Sequence, residues 1–406
     1  MLLVSGWVLA QNPSRDASPA PPGNQPPTGS PRELARKFAF DVIKSAVALP
    51  QPDPGDRLRV LATAIQLSIA LDRNYARLLA KEGMQLEGEL VRSGQQPPVS
   101  ILATGQVDCA IAAQFVESLP APSVPVAEQS LIGAVTTCPK QALLPVQLTL
   151  DAAMKKGEAA PRALLAAMDV AGVKTRWAQD AFERQFSSMP GDAETDVRAV
   201  DFAALYERVA PEVGQDEAGK AGLNFLEWLG KAPEGGERSM AINTVTHTMR
   251  RVLEKEAYEN ALSSNVVARN VAARAGDPGS IRPPEEESVS VLDAMTNPQQ
   301  DRSDELQSLG PSLRARKAAA YAFAAGQAGD RKLADRYLDT AFAAADEAWQ
   351  SRSRQPSAAD VVREVSDAAA QVDSVAALHR AQRLAEPAEQ AIGMLAVARV
   401  VLSHGL

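Results

Sequence analysis

Residues 30–74 read SPRELARKFAFDVIKSAVALPQPDPGDRLRVLATAIQLSIALDRN, and this stretch decides the fold. Ser30, Pro31 and Glu33 make a capping box. The Ser30 hydroxyl can accept from the third helical amide while Glu33 reaches back to the cap amide, and proline at the first position has no amide to leave orphaned. Leu34, Phe38, Val42 and Ala46 then recur every four residues and line one helical face. Pro50, Pro52 and Pro54 end that helix, because proline lacks the amide donor and clashes with the preceding turn. A second helix is expected from Pro54 with the stripe Leu58, Leu61, Ile65 and Ile69.

The same grammar continues along the chain. Prolines at 97, 98, 120, 122, 125, 139, 161, 190, 211, 233, 311, 356 and 387 punctuate Ala-, Leu- and Glu-rich stretches of helical length. Val361, Val362 and Val365 show neither two-residue alternation nor flanking hairpin signals. The expected class is all-α: stacked antiparallel helix pairs in an α-solenoid or superhelical array. Gly276 to Ser308 holds Pro283, Pro284, the acidic run Glu285 to Glu287 and Pro298, a length and polarity that mark a boundary or loop. A short helix around Val289 to Met295 is expected within it. The division is therefore an N-terminal array over 31–275, a linker over 276–308 and a C-terminal helical segment over 309–406.

Asp330-Arg331-Lys332-Leu333-Ala334 aligns with Asp72-Arg73-Asn74-Tyr75-Ala76 as Asp-Arg-x-x-Ala opening the second helix of a pair. Lys317 to Glu347 resembles a tetratricopeptide-like repeat, with Gly329 and Asp330 at the inter-helix turn and small Ala334 and Ala341 seven residues apart. Small side chains there let two helices approach closely. The pattern departs from the family at Ala318, where a large residue is usual, and at Asp346, where the closing proline is usual. A weaker copy covers 54–91. The resemblance implies a concave face that binds a protein or peptide.

The 406 residues are 45% hydrophobic, enough to fill two ordinary cores. Forty-two Lys and Arg against 50 Asp and Glu give a net charge of −8 without a basic cluster, which argues against nucleic acid as a partner. Three histidines (His247, His379, His404) and two cysteines offer few metal ligands, so no cofactor or metal is expected. No run is long and apolar enough to span a membrane. Residues 1–10, ending Val8-Leu9-Ala10, fit the apolar core of a signal peptide without its basic start, and 11–30 form a Pro- and Ser-rich tether. Export to a periplasmic or extracellular space is the expectation, with a cytoplasmic location as the alternative.

Three motifs hint at chemistry, and each falls short. Gly214 to Lys220 has P-loop spacing, but Ala221 replaces the hydroxyl, Asp216 and Glu217 oppose phosphate, and the preceding residues read as helix, so a helix-helix connection is expected. Asp192, Glu194 and Asp196 open like a calcium loop, but Val197 and Ala203 stand where Gly and Glu are needed. His247 lies opposite the stripe Ile242, Val245, Met249 and Val252, with no catalytic company. Cys109 falls on an expected stripe with Leu102, Gly105, Ala113 and Val116. Folding back about Pro122 sets it against roughly residue 135, close enough to Cys138 for a disulfide, with two separate buried thiols as the alternative. The expected function is a non-catalytic interaction scaffold. The alternative is an α-helical hydrolase on cell-wall or polysaccharide material, which 4% aromatic residues disfavours because sugars need stacking platforms.

Overall fold

The computed structural model describes residues 30–189, 198–275, 297–298, 301–351 and 357–405. The expected signal peptide, the tether up to residue 29, the Asp192 to Asp196 motif, the acidic run and the short helix around 289–295 lie outside the described residues. Among the described residues there are nineteen α-helices and no strand. The first thirteen are α1 (Pro31–Ala48), α2 (Pro54–Ser68), α3 (Arg73–Arg92), α4 (Cys109–Glu117), α5 (Glu128–Thr137), α6 (Pro139–Met154), α7 (Pro161–Ala171), α8 (Arg176–Ser187), α9 (Ala199–Val209), α10 (Gln215–Lys231), α11 (Gly236–Val252), α12 (Lys255–Ser264) and α13 (Val266–Ala272). Then follow α14 (Ser303–Gln307), α15 (Pro311–Gln327), α16 (Arg331–Gln350), α17 (Ala358–Val372), α18 (Ser374–Ala381) and α19 (Pro387–Gly405).

Helix starts follow local chemistry. The Ser30 hydroxyl accepts from the Glu33 amide and Glu33 accepts from the Ser30 amide at 2.8 Å, the reciprocal capping box. Asp53, Asp72, Asp108, Thr175, Asp330, Ser357 and Asp373 cap later helices by accepting from an amide of the first turn. The buried stripe of α1 is Ala39, Val42, Ile43, Ala46 and Val47, one residue round from the expected one, so Leu34 stays exposed and Phe38 is half-buried. In α2, Leu58, Val60, Leu61, Ala64 and Ile65 are all buried, because α1, α3 and α19 surround it.

One expected helix is corrected. Residues 102–117 are not continuous: a 3-10 turn at Leu102–Thr104 ends at Gly105, whose φ of +70° leaves the helical region, and α4 restarts at Cys109 under an Asp108 cap.

Two clusters of buried side chains fill the molecule. One takes residues between Leu102 and Ala272; the other joins residues from Ala39 to Ile101 with residues from Leu306 to Leu402. The core containing the C-terminal helices thus also contains α1 to α3, and along the chain the clusters change over twice, between Ile101 and Leu102 and again between Ala272 and Leu306, on either side of the polar stretch. The physical reason is α19, whose apolar residues on several sides pack on α1, α2, α17 and α18 and so carry the first helices onto the last. In space the array runs from α14 through α19 to α1, α2 and α3. It then passes through the turn at 102–104 into α5 and on to α13, so α1 and α19 meet inside it.

Candidate functional site

Beside the contact of α2 with α19, three helix starts converge. The turn before α2 brings Pro52 and Asp53, the start of α17 brings Ser357 and Ala358, and the start of α19 brings Glu386 and Pro387. With Trp349 and Gln350 at the end of α16 they line a cleft of about 510 Å³. Several polar groups of its wall are already engaged. Asp53 accepts from the Asp56 amide at 2.9 Å, and Arg59 pairs with Asp56 at 2.9 Å. The Ser357 hydroxyl donates to Asp360 at 2.6 Å. Trp349 is half-buried and leaves part of its ring to solvent in the cleft.

Beside the cleft, at the third position of α19, Glu389 is 0% exposed. Neither of its oxygens receives a hydrogen bond of good geometry. Its neighbour is Asp346 of α16, which bears on its charge. Asp346 is well supplied with donors: its Oδ1 accepts from the Ala385 amide at 3.3 Å and its Oδ2 from Gln350 Nε2 at 2.9 Å. Two neighbouring carboxyls held away from water favour a proton on one of them. Asp346 thus has an N–H donor on each oxygen, whereas neither Glu389 oxygen has a partner, which favours the proton on Glu389. Burial is the largest cause pushing the Glu389 carboxyl up to about 8, followed by the nearness and charge of Asp346; the Glu386 backbone pulls the other way and the Glu386 charge adds to the rise.

The structure distributes the residues singled out in the sequence. Cys109 and Cys138 are joined in a disulfide with Cα atoms 5.4 Å apart, tying the start of α4 to the start of α6. Gly329 adopts φ +82° at the α15–α16 turn, and Asp330 caps α16 by accepting from the Leu333 amide. Ala334 and Ala341 are both 0% exposed, pressed between helices rather than facing the cleft. The aligned pair has the same local form: Asp72 accepts from the Asn74 and Tyr75 amides, Ala76 is fully buried, and a Cβ on Gly83 would lie 2.7 Å from Ile101. His247, His379 and His404 are exposed on three different helices. The P-loop-like residues from Gln215 to Lys220 form the first turns of α10 rather than the expected helix-helix connection, and Tyr206 donates to the Ala218 carbonyl there at 2.8 Å.

Among the described residues no group of three or more His, Cys, Asp and Glu is placed to hold a metal ion, and no helix is long and apolar enough to cross a membrane. Trp349, Glu386 and Glu389 escaped the sequence reading. The one available signal was Asp346 standing where the repeat pattern wants proline, since an acid at the end of a helix opposes the macrodipole and needs a tertiary reason. No known protein family, no curated protein and no solved structure matches the chain.

Proposed function

We propose that this chain is a non-catalytic interaction module of exported type, built of tetratricopeptide-like helix pairs, and that a protein or peptide segment docks in the cleft between α2, α16, α17 and α19. The observation carrying this reading is the character of the cleft wall. Trp349 between Pro52 and Pro387 supplies an apolar anchor, while Asp53, Asp56, Arg59 and Ser357 already have partners and are poorly suited to chemistry. Stacked helices commonly present such clefts to polypeptides, which is an argument from architecture. The Cys109–Cys138 disulfide supports work in an oxidising compartment, where such bonds persist. A net charge of −8 disfavours nucleic acid as the partner.

Capture from native extract with the wild-type chain and with Trp349→Ala as baits tests the reading. The substitution should remove the captured species while the unfolding midpoint moves little; equal capture by both baits overturns it. One feature favours the hydrolase reading: burial and the neighbouring Asp346 push the Glu389 carboxyl up, as in a general acid. Its complete burial argues against contact with a substrate. Release of soluble sugar from cell-wall material by the wild type, lost in Glu389→Gln, would establish that reading instead.

A further inference from the structure

We propose that Glu389 and Asp346 form a proton-operated clasp, in which protonated Glu389 donates to Asp346 and seats the first turn of α19 against the end of α16, and loss of that proton unseats the turn beside the cleft. This does not depend on what the cleft binds. Geometry carries it: Asp346 takes N–H donors on both oxygens, Glu389 takes none of good geometry, and Glu389 is fully buried. When Glu389 ionises, two carboxylates face each other away from water, an arrangement that favours separation. The turn that would move carries Glu386 and Pro387, which line the cleft, so proton loss alters the cleft as well as the helix.

Among the described residues, no Lys or Arg forms an ion pair with Glu389 or Asp346. The fully buried residues of α1, α2, α17 and α18, the helices packed on α19, include no ionisable side chain, and Asp367 on the α19-facing side of α17 is paired with Arg399. At their rims, Asp53 and Asp56 of the α2 start add negative charge, and Arg59 is committed to Asp56. On α17, Asp360 is held by Ser357 and Arg363, and Arg316 of α15 is bound to Glu364. On α18, His379 is exposed and Arg380 is bound to Asp335 and Asp339 of α16. Glu386 is the remaining charge beside Glu389, and it is of the same sign.

The sign of the effect is fixed. A carboxyl raised in the folded state stabilises fully below its unfolded value of about 4.5 and loses that contribution as pH rises to about 8. Two measurements test this on the full chain: the unfolding equilibrium in urea from pH 5 to 9, and amide exchange over residues 385–393 corrected for intrinsic rate. Relative to Glu389→Gln, the wild-type unfolding constant should rise up to about tenfold per pH unit between pH 5 and 8. Exchange over 385–393 should increase around pH 8 in the wild type and stay level in the variant. Asp346→Asn, which removes the facing charge but keeps an acceptor, should move the exchange transition to lower pH. Should Glu389→Gln not fold, the Asp346→Asn shift decides alone. Identical pH profiles for wild type and Glu389→Gln, or an unmoved transition in Asp346→Asn, overturn the clasp.

Discussion

Glu87 offers a quantitative test of how the two cores are joined. It lies on α3, is 0% exposed, and accepts from the Ile101 amide at 2.8 Å through Oε2 and from the Ser130 hydroxyl of α5 at 2.5 Å through Oε1. One side chain therefore ties a helix of one buried cluster to the turn and the helix that open the other. Burial pushes its carboxyl up, against the pull of Ser130, the Ile101 amide, Ser100 and the Leu102 amide. Replacing it with leucine keeps most of the volume and orphans two donors, each worth about 1–3 kcal/mol when buried unpaired. The Ser130 hydroxyl can turn back to a carbonyl of its own helix, so the lower part of that sum, about 2–4 kcal/mol, is expected. Glutamine keeps an acceptor for Ile101, donates to Ser130 Oγ and removes the buried charge, so Glu87→Gln should lie within about 1 kcal/mol of wild type. The pH dependence separates the two effects. Because the folded carboxyl is raised, wild type loses this group's contribution as pH rises from the unfolded value through the folded one, whereas Glu87→Gln loses nothing. Urea unfolding at pH 5 and pH 8 reads both quantities. A Glu87→Gln as costly as Glu87→Leu, or a Glu87→Leu costing under about 0.5 kcal/mol, would refute the argument that paired donors rather than charge hold the junction.

Glu128 of α5 caps α7 from a distance, one oxygen accepting from the Arg162 and Ala163 amides at 2.8 and 3.3 Å; Glu128→Ala should cost about 2–4 kcal/mol and Glu128→Gln little, a ranking that chemical denaturation checks. Cys109→Ser opens a 29-residue separation, so in the chain-entropy model it should cost about 3.5 kcal/mol, and thiol-free reductant-treated wild type should lose a similar amount; equal stability of oxidised and reduced protein contradicts this. Ala334→Leu forces a larger side chain into a 0%-exposed helix crossing and should cost about 1–3 kcal/mol, while exposed His247→Ala should stay within about 0.5 kcal/mol; thermal unfolding of the pair should rank them in that order.

Helix after helix was legible in the residues themselves. Ser30-Pro31-Arg32-Glu33 writes its own start, Asp72 and Asp330 cap the helices they precede, and prolines set the breaks, because these effects act over four residues or fewer. Val361, Val362 and Val365 were legible as helix for the same reason: their spacing fits one buried helical face, and all three are 0% exposed. Tertiary structure decided the rest. Ala160 has no side chain to cap α7, and nothing near it in sequence announces that Glu128 will supply the acceptor. Asp346 and Glu389 sit 43 positions apart, each unremarkable on its own helix until the two are brought together. The helices from Pro31 to Arg92 share a core with those beyond Leu306 rather than with their chain neighbours. An apolar helical stripe states that it must be buried but not against which other stripe, since hydrophobic attraction has no direction. Which stripes meet is settled only when every face of the array is covered at once, and that placement is what creates the cleft and the carboxyl pair beside it.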